Sequence, residues 1–235
     1  MNTKIISFDV GIKNMAYCIL KKNNEQITIL DWNIIDMFSD ENVTFCSSYL
    51  KNKACNQKAK FHSNDKYICH KKTCEKYMKN LYPDSKFKKL KQITVKDTPL
   101  ITIAEKLINR LLEKPELLNV EEVIIENQPV LKNPTMKSIQ MILYTYFLQN
   151  GYISKESTVN NIHLFSARRK LKYYDGPTVD VSHIKNKYSQ RKALSIEYTK
   201  YLIKDQTKWL DFFLNHKKKD DLADAYIQGC TYLYK

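Results

Sequence analysis

Ile5-Ile6-Ser7-Phe8-Asp9-Val10-Gly11-Ile12-Lys13-Asn14 decides how the rest of the chain is read. Residues 3 to 9 alternate and then run apolar, as in a buried strand. The strand delivers one carboxylate, Asp9, before the chain turns at Gly11. Val123-Ile124-Ile125-Glu126-Asn127-Gln128-Pro129 repeats that arrangement with Glu126, an acid closing an otherwise apolar run. Near the end, Lys219-Asp220-Asp221-Leu222-Ala223-Asp224-Ala225 opens a helix with clustered carboxylates. Asp221 and Asp224 are three apart and share a face, while Asp220 points elsewhere. Three acidic stations, each at the edge of a regular element, imply a metal site.

Working outward, 14 to 20 reads as a second strand and 26 to 36 as a third, joined by a turn at Lys21 to Glu25. These three strands form an antiparallel meander. A helix follows from Thr98-Pro99 to about Lys114, with Thr98 as N-cap and proline in the first turn. Then come a buried strand over 121 to 126 and a helix over 137 to 149 closed by Asn150-Gly151. A strand over 161 to 165 and helices over about 190 to 204 and 219 to 234 complete the order. A meander followed by alternating units implies a mixed sheet with helices on its faces. The first and fourth strands would then be neighbours, and Asp9 and Glu126 would converge.

Between the third strand and the first of these helices the composition changes. Residues 44 to 78 hold Cys46, Cys55, Cys69 and Cys74, with His62 and His70 among them. Outside secreted proteins such a cluster points to a metal rather than to disulfides. Four thiolates, or three and an imidazole, satisfy tetrahedral zinc. The fourth ligand is left open between Cys74, His70 and His62. A structural staple for a long insertion is the simplest role, and its lysines could also touch phosphate. Lys79 to Lys96 reads as a basic connection, and Cys18 and Cys230 as core thiols.

The 235 residues carry Lys+Arg 39 against Asp+Glu 25, a net charge of +14. That excess calls for an anionic partner, nucleic acid first. No leader-like segment or membrane-length apolar run is read, so a soluble intracellular protein is expected. Two basic clusters lie between the second and third acidic stations: Arg168, Arg169, Lys170 and Lys172 after the fifth strand, and Arg191 and Lys192 opening a helix. Either could set a lysine beside a scissile phosphate, with the other cations following the backbone. The chemistry that unites these features is two divalent cations about 3.5–4 Å apart acting on a phosphodiester.

Phe8 to Asn14, Ile125 to Gln128 and Asp221 to Ala225 together resemble the three acidic motifs of RuvC-type Holliday junction resolvases, in the ribonuclease H-like superfamily. The Glu126-Asn127-Gln128-Pro129 form is most similar to the poxvirus and large-DNA-virus branch. The resemblance implies an α/β ribonuclease H-like fold over 1 to 235: a mixed five-stranded sheet flanked by helices, with a small zinc-binding insertion at 44 to 78. It implies Asp9, Glu126, Asp221 and Asp224 as ligands of two magnesium ions (or manganese). Lys192 matches the active-site lysine and Lys170 its neighbour, with Arg191 and Arg169 as adjacent candidates. The implied activity is resolution of four-way DNA junctions by a homodimer making paired symmetric nicks. If the source is viral, the implied place of work is host cytoplasm or the viral replication site.

Three rivals remain. Actin-like ATPases and sugar kinases also begin with a strand ending in Asp-x-Gly, but they need glycine-rich phosphate loops. This chain has only Gly11, Gly151, Gly176 and Gly229. A non-catalytic zinc-bearing nucleic-acid binder leaves Glu126 and Asp221/Asp224 without purpose. A nuclease of the same superfamily acting on RNA–DNA hybrids or other branched DNA keeps the acids and changes the substrate.

Overall fold

The computed structural model describes residues 2–38, 44–90, 95–131 and 133–234, and the chain divides into two compact units, Met1–Phe38 with Pro99–Lys235, and Ser39–Thr98. In chain order the elements are β1 (Asn2–Asp9), β2 (Asn14–Asn23), β3 (Gln26–Asp36), β4 (Tyr49–Leu50), β5 (Lys53–Ala54), β6 (Phe61–Ser63), β7 (Lys66–Ile68), α1 (Lys72–Leu81) and β8 (Lys88–Lys89). They continue with α2 (Leu100–Leu112), β9 (Glu122–Glu126), α3 (Pro134–Phe147), β10 (Asn161–Phe165), α4 (Lys187–Leu202), α5 (Thr207–Asn215) and α6 (Lys219–Leu233).

In the larger unit, β1, β2 and β3 form the antiparallel meander, and β9 and β10 add in parallel on the other side, giving the order β10-β9-β1-β2-β3. The mixed five-stranded sheet is the expected one. Parallel strands covered on both faces read as continuous apolar runs, and Ile5, Ile6, Phe8, Val123, Ile124 and Ile125 are all fully buried. Leu30 is the extra residue of a bulge opposite Ile19 and Leu20; it is exposed, and the bulge resets the alternation so that Ile29 and Trp32 both face inward.

One face of the sheet is covered by α6. A side chain at Gly229 would meet Leu20 Cδ1 at 2.6 Å and Ser7 Cβ at 3.1 Å, so glycine is what allows the helix to sit this close. Ile5, Cys18, Leu20, Trp32, Tyr226, Ile227 and Cys230 fill the layer between them. Trp32 stacks on Phe213 of α5 at 5.2 Å and donates its indole N–H to the Leu222 carbonyl at 3.0 Å. Phe147 of α3 reaches the ring of Phe8 at 5.3 Å.

Several local readings need correction. Pro99, not Thr98, occupies the N-cap position of α2, because the Thr98 amide bonds back to Val95 in the preceding turn. Helix α3 starts at Pro134, where the Asn133 side chain accepts from the Met136 amide. It does not stop at Asn150-Gly151 but loosens into a π-turn over Leu148–Tyr152. Gly151 serves close packing there, its missing Cβ lying 3.1 Å from Val159 Cγ2. Helices α1 and α5 were not read from the sequence.

The smaller unit holds the β4–β5 hairpin, a sheet in the order β7-β6-β8, and α1. Lys51 and Asn52 at the hairpin tip both take left-handed backbone, φ 50 and 61, as a two-residue turn of this hand requires. Its core is Cys46, Ile68, Cys69, Cys74 and Met78, with Leu50, Cys55, Phe61, Tyr77 and Phe87 around them.

Candidate metal centres

Asp9 and Glu126 are the last residues of β1 and β9, adjacent parallel strands in which Phe8 pairs with Ile125. The sheet register therefore puts the two carboxylates side by side. At Gly11 an added Cβ would lie 2.0 Å from the Asn14 carbonyl, so only glycine permits the tight turn after Asp9. Helix α6 crosses the same sheet end and brings Asp224. Gln228, one turn further on, anchors α6 by donating to Ser7 Oγ at 3.1 Å and to the Phe8 carbonyl at 2.9 Å.

Into this cluster runs Lys170, from the 3-10 segment Ala167–Tyr173 that follows β10. Its ammonium lies 2.7 Å from Asp9, 3.3 Å from Glu126 and 3.6 Å from Asp224. The side chain is only 7% exposed. Thr231 of α6 fixes the segment by donating to the Lys170 carbonyl at 2.6 Å. Grouped by sequence with the cations that follow phosphate, Lys170 is buried instead; Arg168, Arg169, Lys172 and Arg191 are exposed. Lys192, matched to the active-site lysine, donates to Asp220 and stands over the Tyr188 ring at 5.1 Å. Asp220 was expected to point elsewhere, but it is four residues before Asp224 and both face α4, Asp220 engaging Lys192 and Asp224 engaging Ser195. Asp221 lies 3.6 Å from Lys218 and within electrostatic reach of Asp9.

Side chains that the motif reading did not single out orient the acids. Ser195 of α4 donates to Asp224 Oδ1 at 2.6 Å. Gln128 donates to Glu126 Oε2 at 2.9 Å, and its own amide is held by Gln140 Oε1 at 2.8 Å. Gln128 stood in the quoted motif; Ser195 lies one helical turn after Lys192, a spacing that carries no chemistry by itself.

Three carboxylates against one ammonium leave two negative charges in a largely buried site. Burial pushes the Asp9 carboxyl up to about 7; Lys170 opposes the rise and Glu126 adds to it. Asp224 is raised by burial against the pull of Lys170, and Asp221 by burial and then Asp220. Burial alone would lower Lys170, but Asp9, Asp224 and Glu126 outweigh it and hold the ammonium well above its ordinary range. An all-oxygen, doubly negative set fits hard divalent cations such as magnesium or manganese. The Lys170 ammonium sits where positive charge is required.

The second cluster is built of sulfur. The Sγ atoms of Cys46, Cys55, Cys69 and Cys74 all lie within 4.8 Å of one another, Cys55 at 3.8 Å from Cys69 and 3.4 Å from Cys74. A tetrahedral ion with bonds of about 2.3 Å spaces its sulfurs roughly 3.8 Å apart, so the set fits a thiolate-bound metal. Cys74 is the fourth member; His62 packs on Tyr67 and His70 is exposed.

A family model described as mitochondrial resolvase Ydc2 / RNA splicing MRS1 matches residues 5–130. The chain is 30% identical to an uncharacterized protein, L451, of Acanthamoeba polyphaga mimivirus, covering 98% of this chain and 74% of that one. Among solved structures, the yeast mitochondrial Holliday junction resolvase Ydc2 superposes with a TM-score of 0.53 at 16% identity, over 98% of this chain and 79% of that one, a likeness of fold. The fowlpox virus resolvase in complex with Holliday junction DNA superposes with a TM-score of 0.47 at 18% identity, over 98% and 97%.

Proposed function

The chain belongs to the family described as mitochondrial resolvase Ydc2 / RNA splicing MRS1, and on that premise we propose that it is a structure-selective DNA endonuclease resolving four-way junctions. The observation that carries this reading is the convergence of Asp9, Glu126 and Asp224, from three separate elements, on one buried ammonium at one end of the sheet. A family that includes a splicing protein contains members acting on RNA. A binder, however, has no use for surplus negative charge buried at one end of the sheet of a basic protein.

Asp9, Glu126, Asp221 and Asp224 would hold magnesium, with manganese as a substitute. Bound there, two divalent ions would supply activation of the attacking water and charge stabilisation at the departing oxygen. The chain's own residues do the rest. Gln128 and Ser195 keep Glu126 and Asp224 in fixed orientations, so the donor set is organised before a cation arrives. Lys170 offsets one of the three carboxylate charges and would be a positive group beside a scissile phosphate. Lys192 of α4, held by Asp220, is a second cation, within electrostatic reach of Asp224. Arg168, Arg169, Lys172 and Arg191 are exposed and suited to phosphates on either side.

The cysteine cluster would hold zinc as a structural ion of the smaller unit. Paired symmetric nicks need two active sites, so a homodimer is part of the proposal. No described helix is long and apolar enough to cross a membrane, and the mimivirus relative favours a viral setting. The test is a panel of labelled substrates (four-way junction, linear duplex, three-way flap and RNA–DNA hybrid) incubated with the full chain with and without magnesium. Magnesium-dependent nicking confined to the junction is the expected result. Preference for the hybrid assigns it to another nuclease class, and tight RNA binding with no nicking assigns it to the splicing side of the family.

A further inference from the structure

The smaller unit carries a surface that a structural staple does not need. Between Thr44 and Leu90 there are twelve lysines against Asp65, Glu75 and Asp84, with no arginine. Among the described residues of that stretch one ion pair forms, Lys79–Glu75. The register places part of this charge on one face. His62 of β6 pairs with Tyr67 of β7 on one side and Lys88 of β8 on the other, so these three side chains share the face opposite Phe61 and Ile68, which point into the cysteine core. Upstream, exposed Lys58 and Lys60 bracket the buried Ala59, the alternation of an extended chain, and continue the row of His62. Lys58 is bridged to Phe45, which therefore lies on the same side and is 54% exposed. His62 and Tyr67 lie nearly parallel, 25° apart with centroids at 6.4 Å.

The result is an outward face of Phe45, Lys58, Lys60, His62, Tyr67 and Lys88. An exposed phenylalanine beside lysines is hard to explain as a solvated surface, and lysines alone would suit any polyanion. Aromatic rings interleaved with point charges match a single nucleic-acid strand, whose bases offer faces for stacking and whose phosphates follow the cations. The absence of arginine argues against reading of base edges, where its fork is the favoured donor. We propose that this face binds a single strand of DNA, without sequence preference, so that the metal-stapled unit holds unpaired strand at a branch point. The assignment to DNA rests on the proposed action on branched DNA.

The experiment is fluorescence anisotropy with the full-length protein, using oligothymidylate, oligouridylate and duplex DNA of one length. Phe45→Ala should weaken oligothymidylate binding about tenfold, the worth of one stacked base, and leave duplex binding unchanged. Phe45→Trp, which keeps a stacking surface, should restore it. Lys58→Gln, Lys60→Gln and Lys88→Gln combined should reduce the salt dependence for the single strand by about 2, roughly 0.7 per lost phosphate contact. Cysteine-bound metal content confirms that each variant keeps the unit folded. Equal losses on single strand and duplex, or none on either, would overturn the proposal, and tighter binding of oligouridylate would overturn the choice of DNA. If the wild type binds oligothymidylate through Phe45 but nicks no junction, the endonuclease reading falls and the single-strand site stands. Nicking without Phe45-dependent binding gives the reverse.

Discussion

Asp9, Glu126 and Asp224 are held by a sheet and a helix whose packing does not depend on them, whereas Cys46, Cys55, Cys69 and Cys74 make up most of what the smaller unit has for a core. In the first region Ile5, Leu20, Trp32, Tyr226 and Ile227 provide the burial, and the acids stand at the margin, destabilising while no cation is bound. In the second, among the described residues, Ile68 and Met78 are the only large apolar side chains of the enclosed core cluster. The difference teaches what each cluster owes to a metal. On the proposed reading the carboxylates would use one for chemistry, and the thiolates would use one for the fold itself.

The largest effect should therefore come from breaking the sulfur set. Structural zinc contributes about 10–16 kcal/mol of apparent binding energy to small modules. Chelation, or Cys74→Ser, should unfold the stretch from Ser39 to Thr98 and leave the β10-β9-β1-β2-β3 sheet standing. Limited proteolysis with hydrogen exchange would see protection lost in one unit only. Global unfolding, or no change, would erase the contrast.

Next is the buried ammonium. Lys170→Met removes the partner of three carboxylates, and uncompensated buried charge typically costs about 3–5 kcal/mol. Denaturant titration at pH 8 without metal should show a loss at the lower end of that range, because Asp9 can take up a proton in response. Magnesium should recover most of it. A variant as stable as the wild type without metal would show that the cluster is not electrostatically frustrated.

Acidity provides a smaller, graded test. Burial pushes the Asp9 carboxyl up to about 7 in the folded chain, from an ordinary value of 3.8. For a raised carboxyl, ionisation disfavours the fold, so Asp9 weakens the metal-free protein as pH rises from about 4 to 7 and has a constant effect above. A cation that needs the carboxylate must displace that proton below pH 7. Magnesium affinity by calorimetry should then fall about tenfold per pH unit from pH 7 downward, and zinc content should not follow the same curve. The smallest change expected is Ser195→Ala. Losing the hydrogen bond to Asp224 should weaken magnesium binding by about 1 kcal/mol, roughly fivefold, with stability little altered.

These regions also differ in how far the sequence discloses them. Strands β1, β2 and β9 carry apolar runs and β3 alternates, so they are read from periodicity, and the pairing of β1 with β9 follows from chain topology. Their register then sets Asp9 beside Glu126. Lys170 was found but not placed: four basic residues crowd Arg168 to Lys172, and only the turn of a 3-10 segment selects which one points inward. Helix α5 escaped because nine residues make a weak pattern, and α1 because its buried face is just Cys74 and Met78, inside a stretch dominated by lysine. The fourth cysteine could be separated from His62 and His70 only once the fold had brought the sulfurs together.

The central claim is that the carboxylate cluster carries out phosphodiester hydrolysis, and Glu126→Gln tests it most directly. The substitution keeps size and polarity but removes one oxygen ligand's charge. Metal-assisted charge stabilisation is worth several kcal/mol, so single-turnover nicking of a labelled four-way junction should fall about a thousandfold. Junction affinity, measured on the same preparation in calcium, should be unchanged. Nicking at the wild-type rate by the Glu126→Gln protein would contradict the account.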